Sequence, residues 1–140
     1  MIKKASALLI ITVLLMGYNN AIAETILIAN KLVSTTSLNK NEVKRIFLGK
    51  QKKWASGVRI KPVTLKNGAV HDEFVKKFIN KTPYSFSSFW KRAIVSGIGI
   101  PPKSYKSEDD IVKYVSITKG ALGYISGTTP HNGVKVLSIK

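Results

Sequence analysis

Cysteine is absent from the 140 residues. That excludes a disulfide framework, a thiolate metal site, a cysteine nucleophile and a lipid-modified N-terminal cysteine. Acidic residues are scarce: 7 Asp and Glu stand against 23 Lys and Arg, for a net charge of +16. Histidine occurs only twice, at His71 and His131, with no carboxylate or thiolate at metal-ligand spacing. Metal binding and triad chemistry therefore lack their residues, and both histidines read as surface side chains. The length is expected to hold one domain, too little for a two-lobed enzyme or binding protein. A hydrophobic content of 44% is too high for a disordered basic tail, so the charge sits on a folded body.

The N-terminus is where the long apolar run lies. Met1-Ile2-Lys3-Lys4 is a short positive region, Ala5 to Met16 is apolar apart from Ser6 and Thr12, and Ala21-Ile22-Ala23 offers small residues for cleavage. This pattern reads as a secretory signal over residues 1–23, with the mature chain starting at Glu24. The run is shorter than the ~20 residues a bilayer core requires, so no transmembrane anchor is expected after cleavage. An exported protein of 117 residues follows, periplasmic or secreted, carrying 21 basic and 7 acidic residues and a net charge of +14.

Eighteen of those 21 basic residues are Lys; the Arg are Arg45, Arg59 and Arg92. Lys is a mobile point charge, whereas planar, bidentate recognition of phosphate or carboxylate favours Arg. Export and the lack of aromatics interleaved with basic residues argue against nucleic acid as a partner. Lys50-Gln51-Lys52-Lys53 and Lys76-Lys77 read as solvated faces. An anionic envelope component is the partner class that such a surface suits.

Periodicity predicts an α/β domain in the order β-α-β-α-α-α-β-β. Thr25–Ala29 is a short apolar strand, and Ser34–Ser37 a hydroxyl-rich turn. Asn39 is placed as an N-cap, with Glu42 completing a capping box; Val43, Ile46 and Phe47 form one helical face, and Gly49 is the stop. Arg59–Leu65 reads as a strand in which Pro62 marks an edge or an end. Asn67-Gly68 opens a helix with Val70, Phe74 and Phe78 in one row. Pro83 starts another, striped by Phe86, Phe89, Trp90, Ala93 and Ile94 and ending at Gly97. Gly97–Pro102 is a loop whose lone GxG follows a helix, the wrong context for a dinucleotide site. Ser107–Asp110 is a second capping box. Gly120–Ile125 is a turn running into a strand, and Val134–Ile139 is the last strand.

No acid–base pair or nucleophile emerges. Asp72-Glu73 and Asp109-Asp110 sit in helix first turns, where the dipole favours carboxylates, so no enzyme and no cofactor is expected. What the pattern offers is anion capture by backbone N–H groups where a strand runs into a helix, at Ser34–Asn39 and at Thr64–Ala69.

The segment Leu38-Asn39-Lys40-Asn41-Glu42-Val43-Lys44-Arg45-Ile46-Phe47-Leu48-Gly49-Lys50 resembles a motif of the phosphate-binding proteins of phosphate ABC transporters. Trp54-x-x-Gly57, Ile60-x-Pro62-Val63, Phe74, Phe78 and Trp90 continue the family order. Thr118-Lys119-Gly120-Ala121-Leu122-Gly123-Tyr124-Ile125 resembles its last motif. The resemblance runs from about Ile26 to Ser126. It implies a single lobe of a type 2 periplasmic-binding-protein-like fold, with a small mixed sheet flanked by helices. It also implies phosphate or another small anion as ligand, an ABC permease as partner, and a site at Thr64, Lys66, Asn67, Gly68, Ala69 and Val70.

This chain departs from the family at that site. Where the family begins the helix with Ser-Gly-Thr after an Arg, this sequence has Gly68-Ala69-Val70, with Thr64 near the Arg position and Lys66 the nearest cation. Hydrogen bonds to a charged ligand are worth ~1.5–3 kcal/mol each, so losing two or three forfeits on the order of two to six decades of affinity. Two readings follow. One is a solute-binding-like lobe with weak anion binding in support of transport, completing its cleft as a homodimer. The other is a non-catalytic adaptor that has lost the ligand and uses its Lys-rich surface.

Overall fold

The computed structural model describes residues 24–140, and the signal expected over 1–23 lies outside them. The strand starting at Thr25 runs one residue further than its apolar pattern, as β1 (Thr25–Asn30). Asn30 closes it: the side chain donates to the Val115 carbonyl at 2.9 Å and accepts from the Leu32 amide at 3.0 Å. The hydroxyl-rich stretch that follows is a turn only in part, because Ser37–Leu38 forms a short strand, β2. Hydrophobic period alone cannot reveal a two-residue strand.

Helix α1 (Lys40–Phe47) starts as its capping box requires. Asn39 Oδ1 accepts from the Glu42 amide at 2.8 Å, and Asn39 Nδ2 donates to Glu42 Oε1 at 3.0 Å. Val43, Ile46 and Phe47 are buried. The helix ends in a Schellman motif, with Lys50 N–H donating to Arg45 O and Gly49 N–H to Ile46 O. Gly49 has φ +73°, and a Cβ there would come within 2.9 Å of the Trp90 ring. Trp90 meanwhile donates its indole N–H to Phe47 O at 3.1 Å. The glycine of the Ile46–Lys50 motif is thus required by packing.

Strand β3 (Lys61–Leu65) pairs in parallel with β5 (Ala121–Ser126) through Lys61 and Pro62, and with β4 (Lys103–Tyr105) through Val63, Thr64 and Leu65. Pro62 therefore marks a strand start, where its missing N–H is tolerated, and not an edge. Strand β4 is a second element beyond the sequence pattern, three residues long after the Gly97–Pro102 loop. With β6 (Val134–Ile139), the six strands lie in the order β2-β6-β1-β5-β3-β4. Strand β1 is antiparallel to both its neighbours, so the sheet is mixed.

Both faces of the sheet are covered, and β5 shows why. All six of its residues are buried. Alternation sends successive side chains to opposite faces. At Gly123 a Cβ would meet Ile111 at 2.8 Å and Val115 at 3.3 Å, so the glycine lets α4 (Glu108–Ile117) lie directly on the sheet. On the other face Tyr124 stacks on Phe74 at 3.7 Å and approaches Phe47 edge-on at 6.1 Å. Gly120, at φ +81°, has no room for a side chain, since a Cβ would lie 2.2 Å from the Arg59 carbonyl. Its own carbonyl accepts the Trp54 indole N–H at 3.0 Å.

The Val70, Phe74, Phe78 row continues through a change of pitch. Helix α2 (Ala69–Phe74) passes into a π-helical segment, Val75–Ile79. The wider turn presents Phe74, Val75, Phe78 and Ile79 to the core together. Asn80, at φ 56°, ends it in the left-handed region. Helix α3 (Pro83–Val95) is capped by Thr82, with Pro83 in its first turn. Phe86, Trp90 and Ala93 are buried as the stripe requires, but Ile94 is 55% exposed, a correction to the expected apolar face.

Candidate functional site

At the C-terminal end of β3 a cleft of about 300 Å³ opens between the β3–α2 turn, α3 and the segment leading into β4. Of the residues expected to form an anion site, Thr64, Lys66 and Asn67 line it. Gly68, Ala69 and Val70 do not: Gly68 and Ala69 are exposed on the helix start, and Val70 packs against the core. The other strand-to-helix loop is elsewhere. Ser34–Asn39 enters α1 from β2, four strand steps from β3, roughly 19 Å at sheet spacing. None of its residues lines this cleft.

The start of α2 is open. Asn39, Thr82 and Ser107 each accept a first-turn amide into a side-chain oxygen, whereas Gly68 precedes α2 with no side-chain cap. Its φ of 105° and ψ of 173° fall in a region that is essentially glycine-only. The first helical bond is Asp72 N–H to Gly68 O at 3.0 Å. The amides before it point out of the helix without a helical acceptor.

The turn is held from beneath. Lys66 N–H donates to Tyr105 O at 2.9 Å, fixing the end of β3 against β4. Thr64, buried, shares a hydrogen bond with Ser104 at 3.1 Å, so its hydroxyl is already engaged. Leu65 N–H donates to the Tyr124 hydroxyl at 2.9 Å, and the same hydroxyl lies 2.5 Å from His71 Nδ1. Sequence reasoning put His71 at the surface; the structure buries it, 7% exposed, with its ring stacked beside Tyr124. Helical phase decides this, because His71 shares its face with Phe74 and Val75.

Burial holds the His71 pKa below its ordinary 6.5, against the opposing pull of Asp72, so the ring is neutral at pH 7. Burial likewise pushes the Tyr124 phenol well above its usual value, although the Leu65 amide works the other way. Tyr124 therefore keeps its proton. With its oxygen already accepting from Leu65, all partners are satisfied when O–H donates to Nδ1, leaving the imidazole proton on Nε2. No buried side-chain nitrogen or oxygen among the described residues lacks a partner. Nε2 has no protein partner, so it reaches the cleft that His71 lines.

Ser87, Lys91 and Ser104 also line the cleft, bringing polar groups from α3 and β4 that no local motif identifies. Lys66 and Lys91 favour an anion, while Asp72 on the same lining opposes one. Among the described residues no group of three or more His, Asp or Glu is placed to hold a metal ion. Nor is any described helix long and apolar enough to cross a membrane.

No protein-family model matches the chain, and no curated protein sequence does. Solved structures do match. An ABC-type phosphate transport receptor from Vibrio cholerae superposes with a TM-score of 0.62 at 15% identity, over 82% of this chain and 45% of the receptor. A phosphate ABC transporter substrate-binding protein of Clostridium perfringens, solved with phosphate bound, gives 0.65 at 18% identity, over 82% of this chain and 44% of that one. PstS from Borrelia burgdorferi gives 0.64 at 16%, over 83% and 47%. The fold is thus that of a single lobe of phosphate-type periplasmic binding proteins, as the motifs imply. The chain spans less than half the length of the structures it matches.

Proposed function

We propose that this chain is an exported, non-catalytic solute-binding lobe of the phosphate-transport type, offering a weak small-anion site at the start of α2. Residues 1–23 would serve as its cleaved signal. The observation that carries this reading is the uncapped helix start at Gly68, adjoining a cleft flanked by Lys66 and Lys91. Free amides at Asn67–Val70, the ammonium groups and His71 Nε2–H would contact the anion, with phosphate the favoured species because the matched Clostridium protein holds it. Without the Ser and Thr hydroxyls of the family, and with Thr64 engaged by Ser104, a Kd on the order of millimolar is expected. A second lobe, a second copy of the chain or an ABC permease would supply the missing enclosure.

Titration of the isotope-labelled protein with phosphate should shift the amide resonances of Asn67–His71, and Lys66→Gln should weaken the response severalfold. A micromolar Kd for the monomer, or no shift at these amides, would defeat the proposal. The adaptor reading has one observation in its favour. Lys77–Glu24, at 3.6 Å, is the sole ion pair among the described residues, so most of the positive charge has no acidic partner and can meet a polyanion. It requires salt-sensitive association with anionic polymers and no stabilisation by phosphate in a thermal-shift screen.

A further inference from the structure

Trp90 and the Pro101-Pro102 pair separate the phosphate-type cleft from a second, larger one of about 440 Å³. Its walls are apolar: Leu48 from the end of α1, Phe89 and Ala93 from α3, Ile98 and Ile100 from the following loop, and Tyr114 from α4. Its charged lining is of one sign. Lys52, Arg59, Lys61 and Lys103 are present, with no Asp or Glu. Lys103 Nζ stands 5.3 Å from the Tyr105 ring and 5.6 Å from the Tyr114 ring, so one cation is held over aromatic faces at the rim.

The loop that closes this cleft keeps its apolar side chains in water. Ile98 N–H donates to Ala93 O at 3.0 Å and Gly97 N–H to Ile94 O, a Schellman motif in which C″ ordinarily packs back on the helix. Here Ile98 is 74% exposed and Ile100 84% exposed, adjoining exposed Ile94 and Val95. Single exposed apolar residues are ordinary, but Ile98 and Ile100 both line the cleft, where an apolar ligand would cover them.

We infer that this second cleft binds a single-chain anionic amphiphile, an alkyl carboxylate or alkyl phosphate, with its chain against Ile98, Ile100, Phe89 and Ala93 and its head group among Lys52, Arg59, Lys61 and Lys103. The volume and concavity suit a small molecule with a few convergent polar groups. Charge complementarity selects an anion. It disfavours a second copy of the chain, since two-fold pairing of this face would set four cations against four with no acid on either side. The site is separate from the β3–α2 start and stands or falls independently of phosphate binding there.

Decanoate, decyl phosphate, decanol and inorganic phosphate, each titrated into the purified protein below its aggregation concentration, test this through tryptophan fluorescence and thermal shift. Decanoate and decyl phosphate should bind saturably, raise the melting temperature and perturb Trp90 emission. Decanol should bind about tenfold more weakly, because its uncharged head group gains nothing from the Lys and Arg side chains at the surface. Lys61→Gln combined with Lys103→Gln should weaken decanoate about tenfold and flatten its salt dependence. Ile98→Asp, at an exposed position, should abolish binding while leaving the unliganded melting temperature unchanged. Equal binding of decanol and decanoate would overturn the assignment, as would indifference to these substitutions or displacement of decyl phosphate by inorganic phosphate. A dimer broken by Ile98→Asp in sedimentation would instead make the face a self-contact and overturn it too.

Discussion

Helices α1 and α2 both start just beyond a strand, but they solve the problem of their unpaired amides in opposite ways. At α1 the sequence closes the end itself, with Asn39 and Glu42 satisfying one another across a single turn. At α2 no local side chain does so; Gly68 leaves the amides open and the turn is propped by residues far away in sequence. A locally capped end is a structural element complete in itself. An end held by Tyr124, Tyr105 and Ser104 is rigid yet uncovered, which is what an anion site requires.

Four substitutions or conditions test that contrast. Tyr124→Phe removes the acceptor for the Leu65 amide and the partner of His71 Nδ1, both buried. Unmade buried hydrogen bonds cost about 1–3 kcal/mol each, so a loss of roughly 3 kcal/mol is expected in denaturant melts, together with a disordered 65–71 turn in amide exchange. Gly68→Ala meets no atom within 4 Å, so any loss reports backbone conformation alone. A glycine-only region costs about 1–3 kcal/mol, and a neutral result would mean the turn adopts another conformation in solution. Asn39→Ala should cost about 1 kcal/mol, within the range for N-caps, while leaving the phosphate-induced shifts at Asn67–His71 untouched. Should it alter them, the two helix starts are coupled.

The smallest effect concerns pH. Because folding lowers the His71 pKa below 6.5, the unfolded chain takes up a proton before the folded one does. Stability tied to the neutral ring is therefore complete above pH 6.5, declines as pH falls from there to the depressed folded value, and levels off below it. Equilibrium unfolding across that window should show a shallow decline that His71→Gln removes. An unchanged slope in the variant would mean that other groups, chiefly carboxylates, carry it.

Most of the element order was legible because the signals were local. Asn39 with Glu42, Pro83 at a helix start, and Ser107 ahead of Asp110 are signals that need only a few residues to act. The glycines of the Gly49 and Gly120–Gly123 motifs were legible as motifs but not as mechanics. Only packing shows that Gly49 makes room for Trp90, Gly120 for the Arg59 carbonyl and Gly123 for α4. Strands β2 and β4 escaped, since two or three residues carry no period and form only where a neighbouring strand offers its edge. Ile94 was misplaced because a stripe five residues wide in sequence exceeds the face that α3 buries.

The site was legible by half. Thr64, Lys66 and Asn67, singled out by the strand-to-helix loop together with the family resemblance, line the cleft, whereas Gly68, Ala69 and Val70 do not. His71 was misjudged, and Tyr124 was recognised only as part of a motif, because their hydrogen bond spans 53 positions. Ser87, Lys91 and Ser104 reach the cleft only when α3 and β4 dock beside β3.

By itself the sequence determined a basic, cysteine-free α/β domain, with its helix starts and the glycine at which α2 opens, since composition and backbone preference act over a few residues. Tertiary structure alone decided that Thr64 spends its hydroxyl on Ser104, that His71 is buried and neutral, and that a second cationic cleft lies behind Trp90. Each of those depends on which distant side chains the sheet order brings together, and desolvation and hydrogen-bond competition exist only after it has done so.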